Sequence, residues 1–278
     1  MTVETRYAHN PVAVAAMDTA GLRAAFVADD LFVPGTARGV YLHYDRILAF
    51  GIVPTTEPVA LPTPDQVRAQ HVLQRREAGI LNVGAPGVVR ADGTEFSVGH
   101  GEAVYLGRGA QDVSFRSDGP ADPAAFYVFT AVAHTQFPHA LITRENMNIV
   151  ELGSAEDSNR RTLHQCIIES RTPSANIAFG FTTVHAGSVW NTMPPHTHDR
   201  RTECYLYFDL AEQDRVFHVL GLPDQTRHVV LGNRQLVASP SWSVHFGAGT
   251  GSYSFVWATA GENAAYDDMD HVSVADLQ

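Results

Sequence analysis

Apolar residues in this chain come in short runs broken by glycine, proline and aspartate. Their spacing is the two-residue period of strands more often than the helical one. Val40–Tyr44 and Ile47–Val53 are rich in β-branched and aromatic side chains, which suit a pleated surface. Gly79–Gly84 and Val88–Val98 follow. Asp92-Gly93 in the middle of the second run predicts a tight hairpin, because both residue types tolerate positive φ. Gly101–Leu106, Val113–Phe115 and Ala124–Ala131 continue the pattern. A polar stretch, Gly153–Arg161, interrupts it. It resumes in Thr162–Ile168, Ala178–Val184, Glu203–Phe208, Val216–Leu220, His228–Leu231, Leu236–Ala238 and Ser252–Ala258. One early segment, Asp18–Val27, reads as a helix with Asp18 or Thr19 as its cap and Leu22, Phe26 and Val27 on one face. The four prolines between Pro54 and Pro64 predict an extended connection. Many short strands with frequent turn signals predict an all-β chain of sandwiches or closed barrels with a few short helices. The polar interruption places a boundary between residues 1–150 and 151–278.

Composition narrows the class. The 278 residues are enough for two ordinary domains, and 45% hydrophobic with 18% charged residues is globular rather than disordered. The net charge of -11, with no arginine cluster larger than a pair, argues against nucleic acid and anionic membranes as partners. Two cysteines, Cys166 and Cys204, do not make a disulfide framework, so a reducing cytoplasm is expected. No apolar leader opens the chain and no run reaches membrane-spanning length, so a soluble protein is expected.

The chemistry concentrates in Pro194-Pro195-His196-Thr197-His198-Asp199-Arg200-Arg201-Thr202-Glu203. Two histidines two apart on a strand present their imidazoles on one face. The polar residues Asp199–Arg201 predict a turn that resets the parity, so that Glu203 can return to the histidines. Cys204 then faces away. Pro240-Ser241-Trp242-Ser243-Val244-His245 is a second proline-led segment ending in histidine. Three neutral imidazoles and one carboxylate suit a divalent transition metal. The H-x-H-x4-E spacing with a distal P-x-W-x-x-H resembles the paired metal motifs of cupins, whose fold is a double-stranded β-helix or jelly-roll barrel. The first half looks like a diverged copy. His71 and Glu77 lie where the second half has its histidines and glutamate, and Gln111 where it has His245. That incomplete set predicts a metal-free first barrel.

Longer strings carry a more specific resemblance. Thr19-Ala20-Gly21-Leu22-Arg23, Arg75-Arg76-Glu77-Ala78-Gly79, Ser158-Asn159-Arg160-Arg161-Thr162, Trp190-Asn191-Thr192-Met193-Pro194, Gln225-Thr226-Arg227-His228 and Asp267-Asp268-Met269-Asp270-His271 resemble the 5-keto-4-deoxyuronate isomerase (4-deoxy-L-threo-5-hexosulose-uronate ketol-isomerase) family along the whole chain. The resemblance implies two cupin-type barrels and aldose–ketose isomerisation of a small-molecule uronate in pectin and uronate catabolism. It also implies one Zn2+ per chain on His196, His198, Glu203 and His245, with Fe2+ or Mn2+ able to use the same donors, and a homo-hexamer. Pro195 and the Thr202-Glu203-Cys204 step depart from the family pattern without removing a ligand.

The uronate carboxylate calls for an arginine. Arg161 is the first candidate, because the polar loop it ends can fold over a barrel mouth; Arg160, Arg200 and Arg201 are the others. Tyr205 lies two residues from Glu203 on the same strand face and can help move protons. Trp190, Met193 and Trp242 flank the ligands and can wall a pocket. Asp270 and His271 carry acid–base chemistry at an undetermined distance, and the general base stays unassigned. A cupin dioxygenase using Fe(II) and a non-catalytic sugar-binding cupin are the competing readings.

Overall fold

A computed structural model describes residues 2–278, and strands dominate it. One unit comprises the strand Thr2–Arg6 with Asp30–Met147 and Cys166–Ala178. The other comprises Tyr7–Asp29, Asn148–Gln165 and Phe179–Gln278. The units interleave along the chain, where the sequence pattern implies a single boundary at residue 150. The reason lies in Val27–Ala28, which pairs with Val237 and Leu236 and so completes the edge of the second unit's sheet from the far end of the sequence. The helix Thr19–Phe26 leads into this strand. Asp18 caps it by accepting from the Gly21 amide at 2.8 Å, and Val27 leaves it in extended conformation. Arg227 donates to the carbonyls of Ala15 and Met17, and the Trp242 indole donates to the His9 carbonyl at 3.3 Å.

Each unit contains a seven-stranded and a four-stranded sheet in matching order. In the first, Arg76–Asn82 lies between Phe126–Val132 and Ala103–Leu106; in the second, Arg201–Phe208 lies between Tyr253–Gly261 and Leu236–Ser239. The expected hairpin forms at Asp92-Gly93, both with positive φ (48° and 85°), between Gly87–Ala91 and Thr94–Val98. Among the described residues no helix is long and apolar enough to cross a membrane.

The two interiors differ in kind. The first is filled by Leu48, Phe50, Ile52, Ala78, Ile80, Val104, Leu106, Phe126 and Val128, an aliphatic and phenyl core. In the second, the equivalent inward positions carry Tyr205, Tyr207, His218, Tyr253 and Phe255, with the Tyr205 ring stacked on Phe255 at 4.9 Å and 5.3 Å from His218. Burying so many polar tips costs free energy unless each finds a partner. The second interior is therefore built around something other than packing.

Register also explains why the first unit lacks a ligand set. Glu203 pairs with Thr259 on one side and Ser239 on the other; the residue in the same place in the first unit is Ala78, paired with Thr130 and Leu106. Glu77 is one position off, and a one-residue offset turns a strand side chain to the opposite face. There its carboxylate accepts from the amides of Ala175 (2.8 Å), Asn176 (2.7 Å) and Ile177 (3.0 Å) and from the Tyr105 hydroxyl (2.6 Å). Glu77 is a structural anchor for the 175–177 segment, not the remnant ligand that its position six residues after His71 suggests.

Candidate metal centre

His196 sits in the two-residue strand His196–Thr197, paired in register with His271. The chain turns through Asp199 and Arg200, closed by the Arg201 amide donating to the His198 carbonyl at 3.0 Å. Glu203 is the third residue of Arg201–Phe208, and His245 the second of Val244–Gly249. These elements bring one donor atom from each of the four residues within 4.8 Å of the others, and all four side chains are buried.

The orientation of each ring follows from its outer nitrogen. His198 Nδ1 lies 2.7 Å from the Arg201 carbonyl and His245 Nδ1 lies 3.0 Å from the Ser243 carbonyl. A carbonyl only accepts, so both Nδ1 atoms donate outward, which turns each Nε2 toward the other members of the cluster. Those inner nitrogens meet the carboxylate. His198 Nε2 and His245 Nε2 lie 3.0 Å and 3.1 Å from Glu203 Oε2, and His245 Nε2 lies 3.0 Å from His196 Nε2. Burial, with His245 beside it, pulls the His196 pKa down to about 2, so its ring is neutral. Burial works against the Glu203 carboxylate, yet His245 and His198 outweigh it and hold the group well below its ordinary range. No arginine pairs with Glu203 among the described residues. A buried carboxylate needs compensating positive charge, which the imidazoles around it can supply themselves or share with a bound cation. Three of the donor pairs stand 3.0–3.1 Å apart and all four donors lie within 4.8 Å of one another, close enough to share one ion. The residues therefore fit a divalent metal, and the carbonyls holding the two Nδ1 atoms supply the outer hydrogen bonds such ligands need.

Around the cluster, Tyr205 lies wholly buried, its hydroxyl 2.8 Å from Thr192 Oγ1. Burial, and then the Glu203 charge, push its pKa well above the ordinary value, so it stays a neutral phenol. Arg161 is half-buried and opens the strand Arg161–Ile167. It donates to the carbonyls of Asn159 (2.9 Å) and Met193 (3.3 Å), and no carboxylate pairs with it among the described residues. Burial lowers its pKa, while Tyr266, Tyr205 and Tyr253 nearby raise it. The other arginine candidates are committed elsewhere. Arg200 grips Asp268 through Nε and Nη2 and reaches Asp270 at 2.8 Å, and Arg201 donates to the carbonyls of Ala265 and Asp268. Arg160 is exposed at the surface.

The tryptophans fall outside the site. Trp190 is paired with Ala248, on the sheet face that carries Phe246, opposite the face of Asn191, Gly247 and His245. Trp242 spends its indole N–H on His9. His271 and Asp270 are exposed; the His271 ring lies 6.5 Å from that of His196, and Asp270 is held by Arg200. Sequence reasoning missed Thr192, Tyr207, Tyr253 and Tyr266. The alternation Tyr205-x-Tyr207 and Tyr253-x-Phe255 was the available signal for an unusually polar inward face. Nothing marked Thr192.

A sequence model of the KduI/IolB family matches residues 55–274. A 4-deoxy-L-threo-5-hexosulose-uronate ketol-isomerase of Kineococcus radiotolerans is 50% identical over 279 residues, covering 99% of this chain and 100% of that one. The enzyme of the same name from Lachnoclostridium phytofermentans is 46% identical, with 99% and 100% covered. Among solved structures, an IolB-like protein from Salmonella typhimurium superposes with a TM-score of 0.69 at 14% identity, over 89% of this chain and 96% of that one. Oxalate decarboxylase from Bacillus subtilis superposes with 0.56 at 13% identity, over 84% and 74%. At those identities the structures speak to the fold alone, and they share the all-β, two-barrel cupin architecture.

Proposed function

Since the chain belongs to the KduI/IolB family, we propose that it is the ketol-isomerase that converts 4-deoxy-L-threo-5-hexosulose uronate to 3-deoxy-D-glycero-2,5-hexodiulosonate in the breakdown of pectin-derived uronates. The observation that carries the chemistry is the buried convergence of His196, His198, Glu203 and His245, whose ligand atoms all lie within 4.8 Å of one another, with no arginine paired to Glu203 among the described residues. Zn2+ suits this set of nitrogen and oxygen donors, at one ion per chain, and Fe2+ or Mn2+ can use the same donors. A bound dication supplies Lewis-acid stabilisation of the negative charge that develops on substrate oxygens during ketol isomerisation.

The reaction shifts a proton between C1 and C2 through an enediol. Tyr205, a neutral phenol beside the four donors, hydrogen-bonds a substrate oxygen while protons redistribute. Arg161 receives the substrate carboxylate. Its guanidinium is half-buried, without an acidic partner among the described residues, and close to Tyr205, Tyr253 and Tyr266. Trp190 and Trp242 have no part in this reading. A homo-hexamer and a cytoplasmic setting are part of the same proposal. The first rests on the family resemblance, the second on the low cysteine content, two in 278 residues, which suits a reducing compartment.

The direct test is to incubate metal-loaded protein with the 5-keto uronate made by lyase digestion of polygalacturonate and to follow the reaction by NMR. The diketo acid should accumulate with no consumption of oxygen. Oxygen uptake coupled to substrate loss would instead assign the site to an Fe(II) dioxygenase.

A further inference from the structure

Eight non-glycine residues among those described have positive φ, and seven of them are Asp, Arg or Ser. The eighth is Thr192, at φ 51°. A β-branched side chain in the left-handed region is strained, because its second γ atom crowds the backbone there. Such a conformation persists only where the surroundings over-determine it, and it gathers at functional sites.

The surroundings here do over-determine it. On the N-terminal side, Trp190-Asn191 is stitched to Val244–Gly249 in the pairs Trp190–Ala248 and Asn191–Gly247. The wholly buried Asn191 amide donates to the Tyr253 hydroxyl at 2.9 Å. The Val189 and Trp190 amides both donate to the Ser158 carbonyl. On the C-terminal side, the Met193 carbonyl accepts from Arg161, and the Pro195 carbonyl accepts from the Val272 amide at 3.0 Å. Between these anchors the Thr192 hydroxyl meets the Tyr205 hydroxyl at 2.8 Å. Among the described residues the Tyr205 oxygen has one other partner, the His245 carbonyl, a long contact at 3.5 Å. Without Thr192, a buried phenol beside the ligand cluster loses the one short hydrogen bond that sets its torsion.

We infer that Thr192 is a positioning residue for Tyr205, its strained backbone being held so that its hydroxyl fixes the phenol beside the four donors. This inference rests on the reading of Tyr205 as a group that hydrogen-bonds substrate. One segment then serves three parts of the site. Met193 orients Arg161 through its carbonyl, Thr192 orients Tyr205 through its hydroxyl, and four residues after Thr192 the chain delivers His196.

The test is a mutant cycle in the metal-loaded full-length protein. Thr192→Val keeps the branched shape and removes the hydroxyl; Thr192→Ser keeps the hydroxyl. Thr192→Val should lower kcat about tenfold, the scale of one lost hydrogen bond, with KM changed less than about twofold. Thr192→Ser should recover most of the rate, and bound metal should equal that of wild type in both. In the Tyr205→Phe background, Thr192→Val should cost nothing further, because a residue that acts through the phenol has nothing left to position. The inference is overturned if Thr192→Val is as active as wild type, if Thr192→Ser is as poor as Thr192→Val, or if the losses of the two sites multiply. A fully active Tyr205→Phe would also overturn it, and would remove Tyr205 from the reaction while leaving the isomerase assignment, read from the product, in place.

Discussion

Arg161 differs from the neighbouring arginines in what it lacks. Arg200 is saturated by Asp268 and Asp270, and Arg201 is consumed by backbone carbonyls of the 265–268 segment, so neither is free for a substrate. Among the described residues Arg161 holds two carbonyls and no carboxylate. The net charge of -11 repels an anionic substrate at long range, but salt screens that field beyond about 8–10 Å, so a local cation decides binding. Losing one side of a partly buried charged hydrogen bond costs about 2–5 kcal/mol. Arg161→Ala should therefore lower kcat/KM by about thirtyfold or more with metal content unchanged. An analogue with an alcohol in place of the carboxylate should be turned over about equally by both proteins. Equal losses on both substrates would make Arg161 a support of the 159 and 193 carbonyls instead. At this scale the ligand set was legible, because H-x-H-x4-E encodes a strand, a turn and a return. The partners of the arginines were not, because Asp268, Asp270 and Ala265 reach them from more than sixty residues away.

A strand side chain's role depends on its face, and the face on register. Arg75-Arg76-Glu77-Ala78 matches Arg200-Arg201-Thr202-Glu203 in either of two offsets one residue apart, and only the pairing decides between them. Ala78 with Thr130 and Leu106 matches Glu203 with Thr259 and Ser239, which sends Glu77 outward to the 175–177 amides. Burial pushes the Glu77 carboxyl up, while Tyr105 and the three amides pull it down. Glu77→Gln keeps the shape but sets an NH2 donor against N–H donors. It should destabilise the protein by about 1–3 kcal/mol, read by urea denaturation, with metal per chain unchanged. Loss of bound metal in this variant would restore Glu77 as a ligand. Short strands, hairpin and helix were readable from residue periodicity. Register was not, since it is fixed by pairing between segments that the periodicity treats alike.

Across the whole molecule, one fold is used twice with different fillings. The first interior is apolar and closed by packing, and the second carries tyrosines, histidines and the carboxylate. The Tyr7–Asp29 segment belongs with the second unit through contacts more than two hundred residues apart, which no local pattern announces. This division of labour predicts a single functional metal, and the two quantities that matter can be read in one titration. Chelator-stripped protein is reloaded with Zn2+, and isomerase rate and bound metal are measured at each step. Stripped protein should be inactive, and the rate should rise linearly to a plateau at one ion per chain. His198→Ala should neither bind the ion nor recover activity. Full activity in the stripped protein, or a plateau at two ions per chain, would contradict the account.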